Sequence, residues 1–67
     1  MLHKNVIPTA SKEEAINSCV FFLQHYPYRF CAVVTDGENF GYVTGKTKAK
    51  INNLVRKGYS VFAVTYS

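Results

Sequence analysis

The sequence predicts one small α+β domain with the element order β-α-β-β-α-β. Three observations predict it. Ser11-Lys12-Glu13-Glu14 reads as the start of an amphipathic helix. Asp36-Gly37 joins two apolar runs, as the turn of a β-hairpin does. A second helical pattern closes at Arg56-Lys57-Gly58 and leads into a last apolar run from Tyr59 to Tyr66.

The chain has 67 residues, which is room for a single domain, residues 1–67, and no second one. A domain of this size buries only about 60% of the surface of its unfolded chain. The hydrophobic fraction of 48% excludes disorder. Aromatic residues reach 15% against only 18% charged, so some apolar surface should stay outside or meet another chain.

The first segment, Lys4 to Thr9, is β-like. Pro8 limits it, because proline cannot donate to a ladder; the strand lies at an edge or ends by Ile7. The first helix starts at Ser11, its N-cap, with Glu14 reaching back and Glu13 and Glu14 at the positive end of the dipole. Ile16, Cys19, Val20 and Leu23 form its apolar stripe, and Phe21 falls on the wet side. The helix ends near Tyr26, because Pro27 disfavours helical geometry in the residue before it.

The hairpin strands run from Arg29 to Thr35 and from Glu38 to Thr44. A two-residue type I′ turn would pair Val33 with Phe40 and Cys31 with Tyr42, and Ala32 with Gly41 on the other face. The Ala32 face is small and apolar, suited to lying under helices. The other face mixes Phe40 and Tyr42 with polar groups, as an open face would. The second helix begins near Thr47. Ile51, Leu54 and Val55 should point inward, with Lys46, Lys50, Asn53 and Lys57 on the opposite stripe. The last strand carries apolar side chains on both faces. It is either an inner strand or an edge that pairs with another subunit.

Right-handed crossovers in this order give the ferredoxin-like arrangement, with two helices on one face of a small antiparallel sheet. Pro8 is the objection, since that arrangement places the first strand in the middle.

Cys19 and Cys31 are too few for a disulfide framework. Met-Leu-His-Lys-Asn lacks the apolar region of a signal peptide, and no apolar run is longer than that from Cys19 to Leu23. A cytoplasmic protein with reduced thiols and no membrane partner is expected. A bridge between Cys19 and Cys31 would be the exception.

Nothing in the chain suggests an enzyme or a cofactor. Gly45-Lys46-Thr47 lacks the first glycine of a phosphate-binding loop. His3, Cys19, His25 and Cys31 match no zinc-knuckle spacing. No base accompanies either thiol, and capping, the turn and the surface account for the acids.

Binding is what remains. From residue 39 onward the chain has five Lys or Arg and no Asp or Glu. The stripe Lys46, Lys50 and Lys57, with Lys48 and Arg56 nearby, suits phosphates or an acidic protein; the plain alternative is a solvated helix face. Glu38-Asn39-Phe40-Gly41-Tyr42-Val43 resembles the core of the third-strand motif of RNA recognition motifs. The resemblance implies that Phe40 and Tyr42 stack bases on an open sheet face. Glu38 stands where that family has Lys or Arg, Asn39 where it has Gly, and Gly45 where it has the last aromatic. The structural alternative makes Phe40 and Tyr42 core or dimer-interface residues.

Two function classes follow. One is a small basic regulator contacting RNA or single-stranded DNA through Phe40, Tyr42, Arg29, Lys46, Lys50 and Lys57. The other is a protein-binding module, a small inhibitor or adaptor of the sort phages and mobile elements encode. It would use Phe21, Tyr26, Tyr28, Phe62 and Tyr66 against a partner protein. The apolar load and the two-faced last strand also suggest a homodimer.

Overall fold

The computed structural model describes residues 2–65 and bears out the α+β class and the ferredoxin-like element order. The elements are β1 (Ile7–Thr9), α1 (Lys12–His25), β2 (Phe30–Thr35), β3 (Phe40–Gly45), α2 (Ala49–Arg56) and β4 (Ser60–Val64). All strand pairs are antiparallel, in the order β1-β3-β2-β4.

The lateral order settles the conflict that Pro8 raised. Pro8 sits in β1 opposite Gly41, and among the described residues β1 pairs only with β3. A proline has no N–H for a second neighbour, so β1 lies at the edge rather than in the middle. β4 takes the other edge, beside β2.

This order corrects the expected placement of both helices on one face. The crossovers from β1 to β2 and from β3 to β4 each step over one strand, in the same lateral direction. They start from antiparallel strands. Two crossovers of the same hand must then lie on opposite faces of the sheet. The core is divided accordingly. Leu54 of α2 packs with Val6, Ala32, Val34 and Val43 on one face. Ala15, Cys19 and Leu23 of α1 pack with Cys31 and Val33 on the other. The expected open face is therefore covered by α1. The run Cys31 to Val34 is buried throughout, as suits a central strand covered on both sides.

The Ser11 cap forms, and Glu14 reaches back one residue beyond the expected capping box, to Ala10 rather than to Ser11. Ser11 Oγ accepts from the Glu14 N–H at 3.1 Å, and Glu14 Oε2 accepts from the Ala10 N–H at 3.1 Å. The inward row of α1 is Ala15, Cys19 and Leu23, while Ile16 is 37% exposed, which corrects the expected stripe. The row i, i+4, i+8 is straight, and the small Ala15 side chain lets the helix approach the sheet. Phe21 lies on the wet side, as expected. α1 stops at Tyr26, before Pro27.

The hairpin register differs from the two-residue turn by two positions. Thr35 pairs with Phe40, Val33 with Tyr42 and Ala32 with Val43. Four residues, Asp36 to Asn39, form the loop. Side chains replace the missing ladder. Asp36 Oδ1 accepts from the N–H groups of Glu38 and Asn39, at 2.9 and 2.8 Å. Thr35 Oγ1 accepts from the Gly37 N–H at 3.0 Å and donates to the Asn39 carbonyl at 2.7 Å. Gly37 has a φ of 105°, the positive value that a type I′ turn would also require there. A shift of two residues keeps every side chain on its face, so Phe40 and Tyr42 still share the face of Val33.

α2 is shorter than expected. Lys48 is its N-cap, without a side-chain capping bond. Leu54 is buried and Ile51 half-buried, but Val55 is 55% exposed, contrary to the inward position expected of it. On an eight-residue helix lying over one sheet face, only one narrow row reaches the core. Gly58, with a φ of 93°, closes the helix, and the Tyr59 N–H donates to the Leu54 carbonyl at 3.1 Å.

Candidate functional site

The structure separates the two halves of the expected nucleic-acid site. Phe40 and Tyr42 are half-buried and packed against the α1 side of the core. Lys50 and Lys57 line a cavity with Leu54, whose side chain belongs to the other core. The two rings therefore do not form a free stacking platform beside the basic stripe. Lys46 is exposed ahead of α2. Arg29 precedes β2, its guanidinium 5.7 Å from the centre of the Tyr26 ring.

The α1 flank carries an open groove of about 560 Å³. Asn17, Phe21, Phe22, His25, Tyr26 and Tyr42 are among its walls. Phe21 and His25 stack at 4.6 Å between ring centres, one helical turn apart, and His25 Nδ1 lies 3.0 Å from the Phe21 carbonyl. Phe21 is 65% exposed and Tyr26 is also exposed. Tyr28 is almost fully exposed, in the turn after α1. Of the expected partner-binding residues, Phe21 and Tyr26 share this groove, and Tyr28 does not line it.

Phe62 is elsewhere, on β4 opposite Val33, with Lys12 Nζ 5.1 Å from the centre of its ring. β4 pairs only with β2, so its outer edge is free of any strand among the described residues. From Ser60 to Thr65 that edge has no charge and no proline. Tyr66, expected to join it, lies outside the described residues.

Cys19 and Cys31 are both buried and face each other between α1 and β2 as free thiols. The hydrogen bond with Cys19, together with burial, pushes the Cys31 thiol well above its ordinary range. The same hydrogen bond lowers Cys19. At the hairpin tip, the backbone N–H groups of Asn39 and Glu38 hold the Asp36 carboxyl below the usual carboxylate range.

A contact that the sequence did not signal joins the two ends of the chain. His3 Nε2 lies 2.9 Å from Lys57 Nζ, across 54 residues. His3 is held in a turn, its carbonyl accepting from the Val6 N–H at 3.0 Å and its Nδ1 from the Asn5 N–H at 3.1 Å. Its ring meets the Tyr59 ring edge-on at 6.4 Å. The expected strand from Lys4 begins only at Ile7, and the preceding turn brings His3 to α2.

Among the described residues, no three of His, Cys, Asp and Glu are grouped to hold a metal ion, and no helix is long and apolar enough to cross a membrane. No family model, curated protein or solved structure matches this chain.

Proposed function

We propose that this chain is a protein-binding module that accepts an extended segment of a partner protein along the outer edge of β4. The observation that carries the reading is that edge, five residues long, uncharged and without proline. Unpaired N–H and C=O groups on an edge strand are a template for strand addition, and proteins commonly block such edges with charge or proline. The opposite edge is blocked in that way: β1 has three residues and contains Pro8. Phe62, half-exposed beside the free edge, offers an apolar contact to the added strand. A module of this kind suits a small inhibitor or adaptor.

The test is co-purification of a partner from nuclease-treated lysate by the unchanged protein and by Ala63→Lys. Ala63 is exposed on β4, so the substitution places a charge at the edge without emptying the core. The partner should be retained by the first and lost by the second, and β4 amides should gain exchange protection in the complex. Equal retention by both proteins would refute strand addition.

A second reading is nucleic-acid contact through α2 and the residues before it. What favours it is the exposed run Lys46, Lys48, Lys50, Arg56 and Lys57, with no acid among them. Binding of this kind would weaken steeply with salt and would not require Phe40 or Tyr42. Strand addition would respond little to salt.

A further inference from the structure

His3 and Lys57 meet in a way that asks for a third group. The Asn5 N–H donates to His3 Nδ1, so in the neutral ring the proton sits on Nε2. That N–H then faces the Lys57 ammonium at 2.9 Å, a donor against a donor. The other tautomer would free Nε2 to accept from Lys57, but would set Nδ1–H against the Asn5 N–H. Neutral imidazole has one acceptor nitrogen, and the geometry here presents two donors to it.

Among the described residues, the surroundings add donors and no compensating charge. A cavity of about 90 Å³ opens beside the pair, lined by His3, Asn5, Lys50, Asn53, Leu54 and Lys57. None of these is acidic. Lys50 Nζ gives one hydrogen to the Thr44 carbonyl at 3.2 Å, which leaves its ammonium two more. The Asn53 amide offers N–H groups as well. The His3 ring is fixed by the Asn5 N–H and by the Tyr59 ring, so this arm of the site is preformed.

We propose that this cavity binds a single phosphoryl group or another tetrahedral oxoanion of that size, held by His3, Lys50, Asn53 and Lys57. The anion's oxygens accept from Nε2–H and from the ammonium together, which turns the donor conflict into two charge-assisted bonds. The volume takes one such group and no base or sugar beside it. The source is either free phosphate or one phosphate of a nucleic-acid backbone crossing α2. The site does not depend on strand addition at β4. It would supply an anchoring contact for the nucleic-acid reading.

The experiment is a titration of the 15N-labelled protein at constant ionic strength, first with inorganic phosphate and then with a short single-stranded oligonucleotide. Sodium chloride serves as the screening control. Saturable shifts at the amides of His3, Asn5 and Lys57 under phosphate support the site. Lys57→Gln should weaken the binding at least about tenfold, the worth of one charge-assisted bond. Lys12→Gln removes the same charge from the far side and should leave it unchanged, as should Ala63→Lys. Phosphate alone shifting these amides marks a site for the free anion, and both ligands shifting them marks a backbone contact. The proposal is overturned by no saturable shift with either ligand. It is equally overturned if chloride reproduces the shifts, or if Lys57→Gln and Lys12→Gln bind alike. Should Lys57→Gln disturb the fold, His3→Gln provides the same comparison.

Discussion

Val6 lies over Gly41: a Cβ on Gly41 would stand 2.6 Å from Val6 Cγ1 and 2.5 Å from the Ile7 carbonyl oxygen. The glycine lets the edge strand and the turn before it close onto the sheet, and so brings His3 to α2. Gly41→Ala should therefore destabilise the domain by about 1–3 kcal/mol, the usual cost of overpacking. Denaturant unfolding measures the loss. Amide protection should fall first at Ile7 and Thr9.

The packed position of Phe40 and Tyr42 sets a second expectation. Each ring is half-buried against the α1 core. Phe40→Ala and Tyr42→Ala should each cost about 1–3 kcal/mol, the order of burying one large apolar side chain. Chemical denaturation checks this. Unchanged stability in both variants would mean that the rings lie free, as a base-stacking platform requires.

The hairpin tip tests the register. Nuclear Overhauser contacts should join Val33 to Tyr42 and Thr35 to Phe40. Gly37→Val should destabilise the loop by about 1–2 kcal/mol, the cost of a left-handed conformation for a residue with a Cβ. Contacts between Val33 and Phe40 would instead indicate the two-residue turn.

Asp36 should make the same loop sensitive to acid. Its folded carboxyl titrates below the unfolded value, because it accepts hydrogen bonds from Asn39 and Glu38. Its contribution is complete above the unfolded value of about 3.9 and is lost as pH falls from there through the depressed folded value. Exchange protection at the amides of Glu38 and Asn39 should decline over that acid range. In Asp36→Ala the decline should be absent.

Where no partner segment occupies it, the free edge of β4 should pair with a second copy of the chain, and partner binding should compete with that pairing. Pairing about a two-fold axis would extend the sheet and set no like charges against each other, since the edge has none. Light scattering at high micromolar concentration should give a dimer mass, and Ala63→Lys a monomer mass. A monomer in the unchanged protein would reserve the edge for a different chain.

Local chemistry made much of this domain legible. The Ser11 cap with Glu14, the stop before Pro27, positive φ at Gly37 and the closing turn at Gly58 all depend on neighbours within a few residues. The hairpin faces were legible too, because a slip of two residues preserves alternation. The register was not, because Asp36 and Thr35 can build a four-residue loop from side-chain bonds that the Asp36-Gly37 pair does not announce. Ile16 and Val55 were misplaced for a related reason. A helical stripe gives a period, but which row touches the sheet depends on how the helix is set down.

The sequence by itself determined the elements, their order and the class of the fold. It also contained the deciding fact about the first strand, since Pro8 cannot serve two neighbours. Only the tertiary structure decided what followed from that proline. With β1 at one edge, β4 moves to the other, the second crossover changes face, and Phe40 and Tyr42 part from the lysines of α2. The meeting of His3 with Lys57 was decided at the same level. It joins residues 54 apart and exists only because the edge strand leaves the preceding turn beside the second helix.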